Sequence, residues 1–171
     1  MPNRRFERYR RGQLVIADFT PSIGSELKGK HLAIVLTKND SPTNSVLTVI
    51  PLSSKEKPYY LNLGSFLGLK ILPFIEFSRD ELLENIKCME KSDENIEQAT
   101  KNADDLTFVV KTYIKMNKNS YALVQNISTV SKLRILKPLN KYDPIKKLRI
   151  DDLLLDRIDE KLIDLFTANK K

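Results

Sequence analysis

The stretch Arg11 to Asp40, RGQLVIADFTPSIGSELKGKHLAIVLTKND, decides how the rest of the chain is read. Gln13 to Phe19 (QLVIADF) is a short β-branched run, and His31 to Thr37 (HLAIVLT) is another. Both are brief and bounded by turn residues, so the pattern predicts two strands rather than helices. Between them Pro21, Gly24 and Gly29 stand among scattered polar residues, which is loop chemistry. That loop lacks the G-x-x-x-x-G-K-[ST] spacing and opens into a strand, so a nucleotide phosphate cradle is not expected.

Downstream, Val46 to Leu52 (VLTVIPL) predicts a third strand, with Pro51 marking an end, a bulge or an edge because it lacks a backbone donor. Pro58 to Leu63 (PYYLNL) alternates like a half-buried strand. The pattern changes after Gly64 and Gly68. The order SRDE sets Ser78 as an N-cap with Glu81 three residues on, which predicts a helix over 78–101. In LTFVVKTYIKM, Leu106, Val109, Val110, Tyr113 and Ile114 fit a second helix, while the β-branched content keeps a strand open. Strand patterns return at Tyr121 to Val130 and Leu133 to Leu139. Ile150 to Phe166 predicts a closing helix, acidic early and followed by Lys170 and Lys171. The expected fold is α+β and mainly β: one domain over 1–171, a small bent antiparallel barrel with a helical insertion at 64–119 and a C-terminal helix.

Composition narrows the function. Hydrophobic residues at 41% and charged residues at 30% are globular proportions. No apolar run nears the roughly 18 residues of a membrane span, and no apolar stretch follows the basic start MPNRRFERYRRG, so a cytoplasmic protein is expected. One cysteine, Cys88, and one histidine, His31, exclude an internal disulfide and a clustered Cys/His metal site. The net charge of +7 divides into +5 over residues 1–60, −2 over 61–120 and +4 over 121–171. Basic outer thirds suit an anionic partner, nucleic acid first, although solubility alone would also account for them.

Three blocks carry a family resemblance. Arg11 to Asp40 is similar to the opening of PemK/MazF toxins: an R-G start, a strand ending in D-F or D-L, a P-x-x-G-S-E loop, and a strand closing in N-D. Val46 to Ser54 (VLTVIPLSS) resembles that family's strand ending in P-[IV]-T-S, and Tyr121 to Lys132 (YALVQNISTVSK) its later V-x-L-E-Q-I-R-T-I-D-K strand. Residues 64–119 carry none of these blocks. The resemblance implies an SH3-like barrel of the PemK/MazF/CcdB kind, a homodimer, a cognate antitoxin whose disordered segment fills the groove, and sequence-specific cleavage of single-stranded RNA without metal or other cofactor.

The implied chemistry uses the RNA 2′-OH as nucleophile, so the protein supplies a base, an acid and donors for the phosphate charge. Where the family usually has Arg followed by Pro, this chain has His31 and Leu32, with Lys30 before them. Histidine cannot reproduce the bidentate fork, yet it is a common general acid or base. His31 is thus a catalytic candidate, a structural histidine, or the mark of lost activity. Ser53 matches the family's hydroxyl at the third strand end, with Ser54 after it. Gln125 and Asn126 stand where relatives carry an acid and then Gln; they can donate to phosphate or read base edges but cannot act as a carboxylate. Lys28, Lys30 and Lys55 border the implied groove, Tyr59 and Tyr60 offer stacking faces, and residues 1–11, with Arg4, Arg5, Arg8, Arg10 and Arg11, form a basic arm expected to be mobile. The missing Arg and the missing acid also fit a binding protein on the same barrel, directed at nucleic acid or, like the gyrase poison CcdB, at a protein. For 64–119 three roles are open: internal inhibitor, antitoxin surface, or extension of the core.

Overall fold

The structure is a computed structural model describing residues 5–24, 26–116 and 118–168. Arg4 of the basic arm, Ser25 of the first loop, and Lys170 and Lys171 lie outside those residues.

Three strands form the backbone of the sheet: β1 (Leu14–Asp18), β2 (Lys30–Val35) and β3 (Val46–Ser53). They pair antiparallel in sequence order, with Ala17 opposite His31 and Ala33 opposite Pro51. The remaining strands, β4 (Leu61–Asn62), β5 (Tyr121–Ala122) and β6 (Ser128–Ser131), are short. β6 pairs with the first half of β3, and β5 with its last two residues and with β4. The ladder does not close as a ring of strands. The chain beyond β6 instead returns to β1 through one bridge, Ala17 to Ile135, and a hydrogen bond of 2.8 Å from Leu136 N–H to the Ile16 carbonyl.

Alternation along the strands sends side chains to two cores. Val15, Ala17, Ala33, Val35, Leu47 and Val49 fill the inside of the bend with Val130. Leu14, Ile34, Ile50 and Leu52 face the other way, under the helices. Both faces are therefore buried, which explains why the strands read as near-continuous apolar runs. The helices are α1 (Phe66–Cys88), α2 (Asp93–Ile114) and α3 (Asp152–Phe166). Phe66, Leu67 and Ile71 of α1, Val109 and Tyr113 of α2, and Leu155 and Ile158 of α3 join the outer core. None of these helices is long and apolar enough to cross a membrane.

Several sequence expectations are corrected here. The helix expected over 78–101 is two helices, broken at residues 89–92, and Ser78 lies inside α1 rather than capping it. The 106–114 segment is helical. Of the expected strand at 58–63 only Leu61 and Asn62 pair, and Leu133 to Leu139 contains a single bridge rather than a strand. The described part of the basic arm is docked. Tyr9 is buried, its N–H donates to Asp40 Oδ2 at 2.8 Å, Phe6 N–H donates to the Pro42 carbonyl at 2.8 Å, and Arg11 pairs with Asp159.

Candidate active site

β3 changes partner along its length, and the candidate site opens where it does so. Its ladder with β2 runs from Val49 to Pro51; the next residues, Leu52 and Ser53, pair with β5 instead. Pro51 has no N–H to give, and its carbonyl accepts from Leu123 N–H at 2.9 Å, on the β5 side. β2 and β3 consequently part beyond the Ala33–Pro51 pair. Continuing that register by two residues makes His31 and Ser53 the next pair on the same face.

The gap is a cleft of about 450 Å³. Leu27, Leu32, Leu52, Leu67, Met116 and Leu123 supply its apolar lining, and the polar groups are Lys30, His31, Ser53, Ser54, Lys55, Lys57, Tyr60, Lys115, Asn119 and Ser120. Among the described residues it thus gathers four lysines, the histidine and three serines, and no carboxylate. His31 is half-exposed, with its ring edge-on to Phe19 at 6.1 Å between centroids. Its Nε2 lies 2.8 Å from the Lys28 carbonyl. A carbonyl can only accept, so Nε2 carries the hydrogen, and Nδ1 has no hydrogen-bond partner among the described residues. The Ser53 hydroxyl oxygen accepts from Lys55 N–H at 2.9 Å, which orients the side chain and leaves its proton free to donate.

Of the residues singled out from sequence, His31, Ser53, Ser54, Lys30, Lys55 and Tyr60 converge on the cleft. Lys28 contributes only its carbonyl, and its side chain lies outside. Gln125 and Asn126 do not line the cleft. Between the β3–β5 and β3–β6 ladders, β3 spends two residues and the opposing chain five. The surplus is looped out as a 3₁₀ turn at Val124–Asn126 that packs toward α3, and it takes both side chains with it. Sequence reading missed Lys57, Lys115, Asn119 and Ser120. Lys57 lies 5.7 Å from the Tyr59 ring centroid and 5.5 Å from that of Tyr60, a cation already resting on both faces offered for stacking.

Two acids near the blocks are committed elsewhere. Asp18 stands opposite Lys30 in the β1–β2 register and accepts from the Thr20 hydroxyl and N–H. The Thr20 hydrogen bonds first, then the charges of Lys30 and Arg134, hold its carboxyl below the usual range. Asp40 is buried against Lys132, with Nζ to Oδ2 at 2.7 Å. A second cavity of about 450 Å³ lies between α1 and residues 141–147, lined by Phe74, Phe77, Glu81, Lys141 and Lys147 among others. It contains none of the site residues expected from sequence.

Fold and site together define a bent antiparallel-sheet protein with a cation-lined cleft where two strands separate. Residues 10–89 match the family described as PemK-like, MazF-like toxin of type II toxin-antitoxin system. The fold is similar to the crystal structure of MazF (Form-I) from Deinococcus radiodurans, with a TM-score of 0.52 and 16% identity over 95% of this chain and 100% of that one. No curated protein sequence matches. Over residues 10–89 the chain is thus similar to PemK-like, MazF-like toxins of type II toxin–antitoxin systems, and the fold agrees with that likeness. The family match runs through α1, although residues 64–89 carry none of the three sequence blocks; α2 lies beyond it.

Proposed function

We propose that this chain is the toxin of a type II toxin–antitoxin pair and that it cleaves single-stranded RNA without a metal. The observation that carries the reading is the content of the cleft: four lysines, His31 and Ser53 around one opening with, among the described residues, no carboxylate to repel a phosphate. In the reaction the RNA 2′-oxygen forms a bond to the adjacent phosphorus and the bond from phosphorus to the 5′-oxygen breaks. The products are a 2′,3′-cyclic phosphate and a 5′-OH. His31 Nδ1 is the free lone pair that accepts the 2′-OH proton, and the imidazolium so formed can return a proton to the leaving oxygen. Ser53 donates its hydroxyl proton to a non-bridging oxygen, and Lys30, Lys55, Lys57 and Lys115 offset the charge that accumulates there. Lysines are point charges rather than forks, so cleavage is expected to be slower than with an arginine in the same place.

The family supports an antitoxin partner and a homodimer, and this function belongs in the cytoplasm. A second reading rests on the same cleft: without arginine or carboxylate it also suits a protein that holds RNA uncut or, like CcdB, binds a protein such as gyrase. The deciding experiment incubates wild type, His31→Ala and Ser53→Ala with a long single-stranded RNA in EDTA and identifies the fragment ends. Cyclic-phosphate ends are expected with wild type, lost with His31→Ala and slowed about 10²- to 10³-fold with Ser53→Ala. RNA left intact by wild type across many substrates would exclude cleavage in favour of the binding reading.

A further inference from the structure

The basic segment ahead of β1 is anchored at Tyr9, which is buried and whose N–H donates to Asp40 Oδ2 at 2.8 Å. Two backbone bonds then tie the chain after it to the end of β2: Gly12 N–H donates to the Val35 carbonyl at 2.7 Å, and Val35 N–H to the Gln13 carbonyl at 2.9 Å. This docking sets Arg8, Arg10 and Arg11 beside Lys38, just past the end of β2, around a pocket of about 370 Å³ that Tyr9 and Asp40 complete.

The acid in that lining is already answered. The Asp40 carboxylate is 0% exposed and paired with Lys132. Glu7, beside the pocket in sequence, pairs with Lys146 at 2.9 Å, and Arg11 pairs with Asp159. Arg8, Arg10 and Lys38 are exposed, and no carboxylate pairs with them among the described residues. Three unneutralised cations therefore face one opening. Two of them are guanidinium forks, whose parallel N–H groups match the oxygens of a phosphate.

This chemistry complements that of the cleft. The cleft lining has lysines and no arginine, and it lies at the start of β2, where Lys30 and His31 stand. Seven residues separate His31 from Lys38, about 23 Å at the rise of an extended chain. A short strand in the cleft does not reach the arginines, and a longer one does.

We propose that Arg8, Arg10 and Lys38 form a second phosphate site, which holds the backbone of the same single-stranded RNA away from the reacting atoms. The proposal rests on the reading of the cleft as an RNA site. Contacts to phosphate carry no base information, so this site adds affinity and register for long strands of any sequence.

Full-length His31→Ala protein, chosen so that the RNA stays whole, is titrated with single strands of about 4 and about 16 nucleotides, the ends of the usual range for single-strand sites. On the four cleft lysines the shorter strand is expected to show a logarithmic salt slope of about −2.8. Three further contacts at about −0.7 each bring the longer strand to about −4.9. Adding Arg8→Gln/Arg10→Gln/Lys38→Gln, all at exposed positions and with folding checked by thermal melts, should return the longer strand to about −2.8. Arg8→Lys/Arg10→Lys should keep the steep slope and weaken binding, because the charge stays and the fork is lost. Equal slopes for the two lengths, or a longer strand that keeps its steep slope in the triple variant, overturns the proposal. Duplex DNA of the same length that binds more tightly than the RNA and loses that advantage in the triple variant overturns it too, and assigns the arginines to DNA. Failure of the cleft reading looks different: the shorter strand then does not bind at all, and the proposal falls with it.

Discussion

Asp40 and Lys132 each close one of the blocks on which the family resemblance rests, and the structure places them against each other in the interior. The Lys132 ammonium is 2% exposed and the Asp40 carboxylate 0%. Lys132 Nζ also donates to the Glu7 carbonyl at 2.9 Å and the Ser41 carbonyl at 3.1 Å, so one lysine pins the N-terminal segment and the β2–β3 turn to the end of β6. Burial is the largest influence on the Asp40 carboxyl and favours its neutral form. The Lys132 hydrogen bond and charge, with the N–H groups of Tyr9 and Ser41, outweigh it and hold the carboxyl below the usual aspartate range. Truncating Lys132→Met leaves that charge buried and unpaired, and is expected to cost about 3–5 kcal/mol in urea unfolding. Because the folded-state value is lowered, the stabilisation is complete above the ordinary aspartate range and is lost as pH falls below it. An acid limb in the urea midpoint that disappears in Asp40→Asn would confirm the sign. In sequence these two charges look the same as groove residues. What separates them is burial, which spacing does not carry.

At the scale of elements, β1, β2 and β3 were legible because both faces of their sheet are buried and each is a short apolar run, whereas 58–63 and 133–139, read as strands from the same signal, pair over two residues and at a single bridge. The helices were less legible, for particular reasons. Gly68 and Pro73 are both unfavourable in a helix interior, yet α1 runs through both, held by the buried Phe66, Leu67 and Ile71. Pro73 gives up its bond to the Leu69 carbonyl on a solvent-facing side, where water can satisfy the freed acceptor, so packing overrides local preference. The capping pattern at Ser78 fell inside this helix, while the working cap is Ser92, whose hydroxyl accepts from Asn95 N–H at 3.3 Å. Ser92→Ala should therefore lower stability by about 1 kcal/mol, with Ser92→Gly costing only a few tenths, as read by thermal melts. The other end of α2 is anchored more firmly. The buried Tyr113 hydroxyl donates to Asp143 Oδ1 at 2.6 Å, and Asp143 also accepts from the N–H groups of Leu139 and Ile145. Burial first, then Asp143, pushes the Tyr113 phenol up. Tyr113→Phe is expected to cost about 1–3 kcal/mol below the tyrosine range. Since the folded-state value is raised, the difference between the two proteins should be complete below the ordinary tyrosine range and shrink as pH climbs above it, where the unfolded chain ionises first.

For the molecule as a whole, charge distribution pointed to an anionic partner but could not show where the charges converge. The cleft draws Lys30 and His31 from β2, Ser53 from the end of β3, Lys55 and Lys57 from the segment after it, and Lys115 from the end of α2. The last of these is distant in sequence, and its direction depends on how α2 docks through Val109 and Tyr113, so no motif could have named it. Conversely, Gln125 and Asn126 lay inside a matching block and were lifted away by the three surplus residues of their turn. This convergence is measurable through salt. With the His31→Ala chain to prevent cleavage, affinity for a short single-stranded RNA should fall with rising salt. If each of the four cleft lysines meets a phosphate, the logarithmic slope is about −0.7 per contact, or about −2.8 in all. Adding Lys115→Ala should bring it to about −2.1 and weaken binding to all sequences alike, while Gln125→Ala and Asn126→Ala should leave it unchanged. An unchanged slope for Lys115→Ala would remove the end of α2 from the groove. A slope that drops for Gln125→Ala would shift the RNA path toward the Val124–Asn126 turn and away from the opening between β2 and β3.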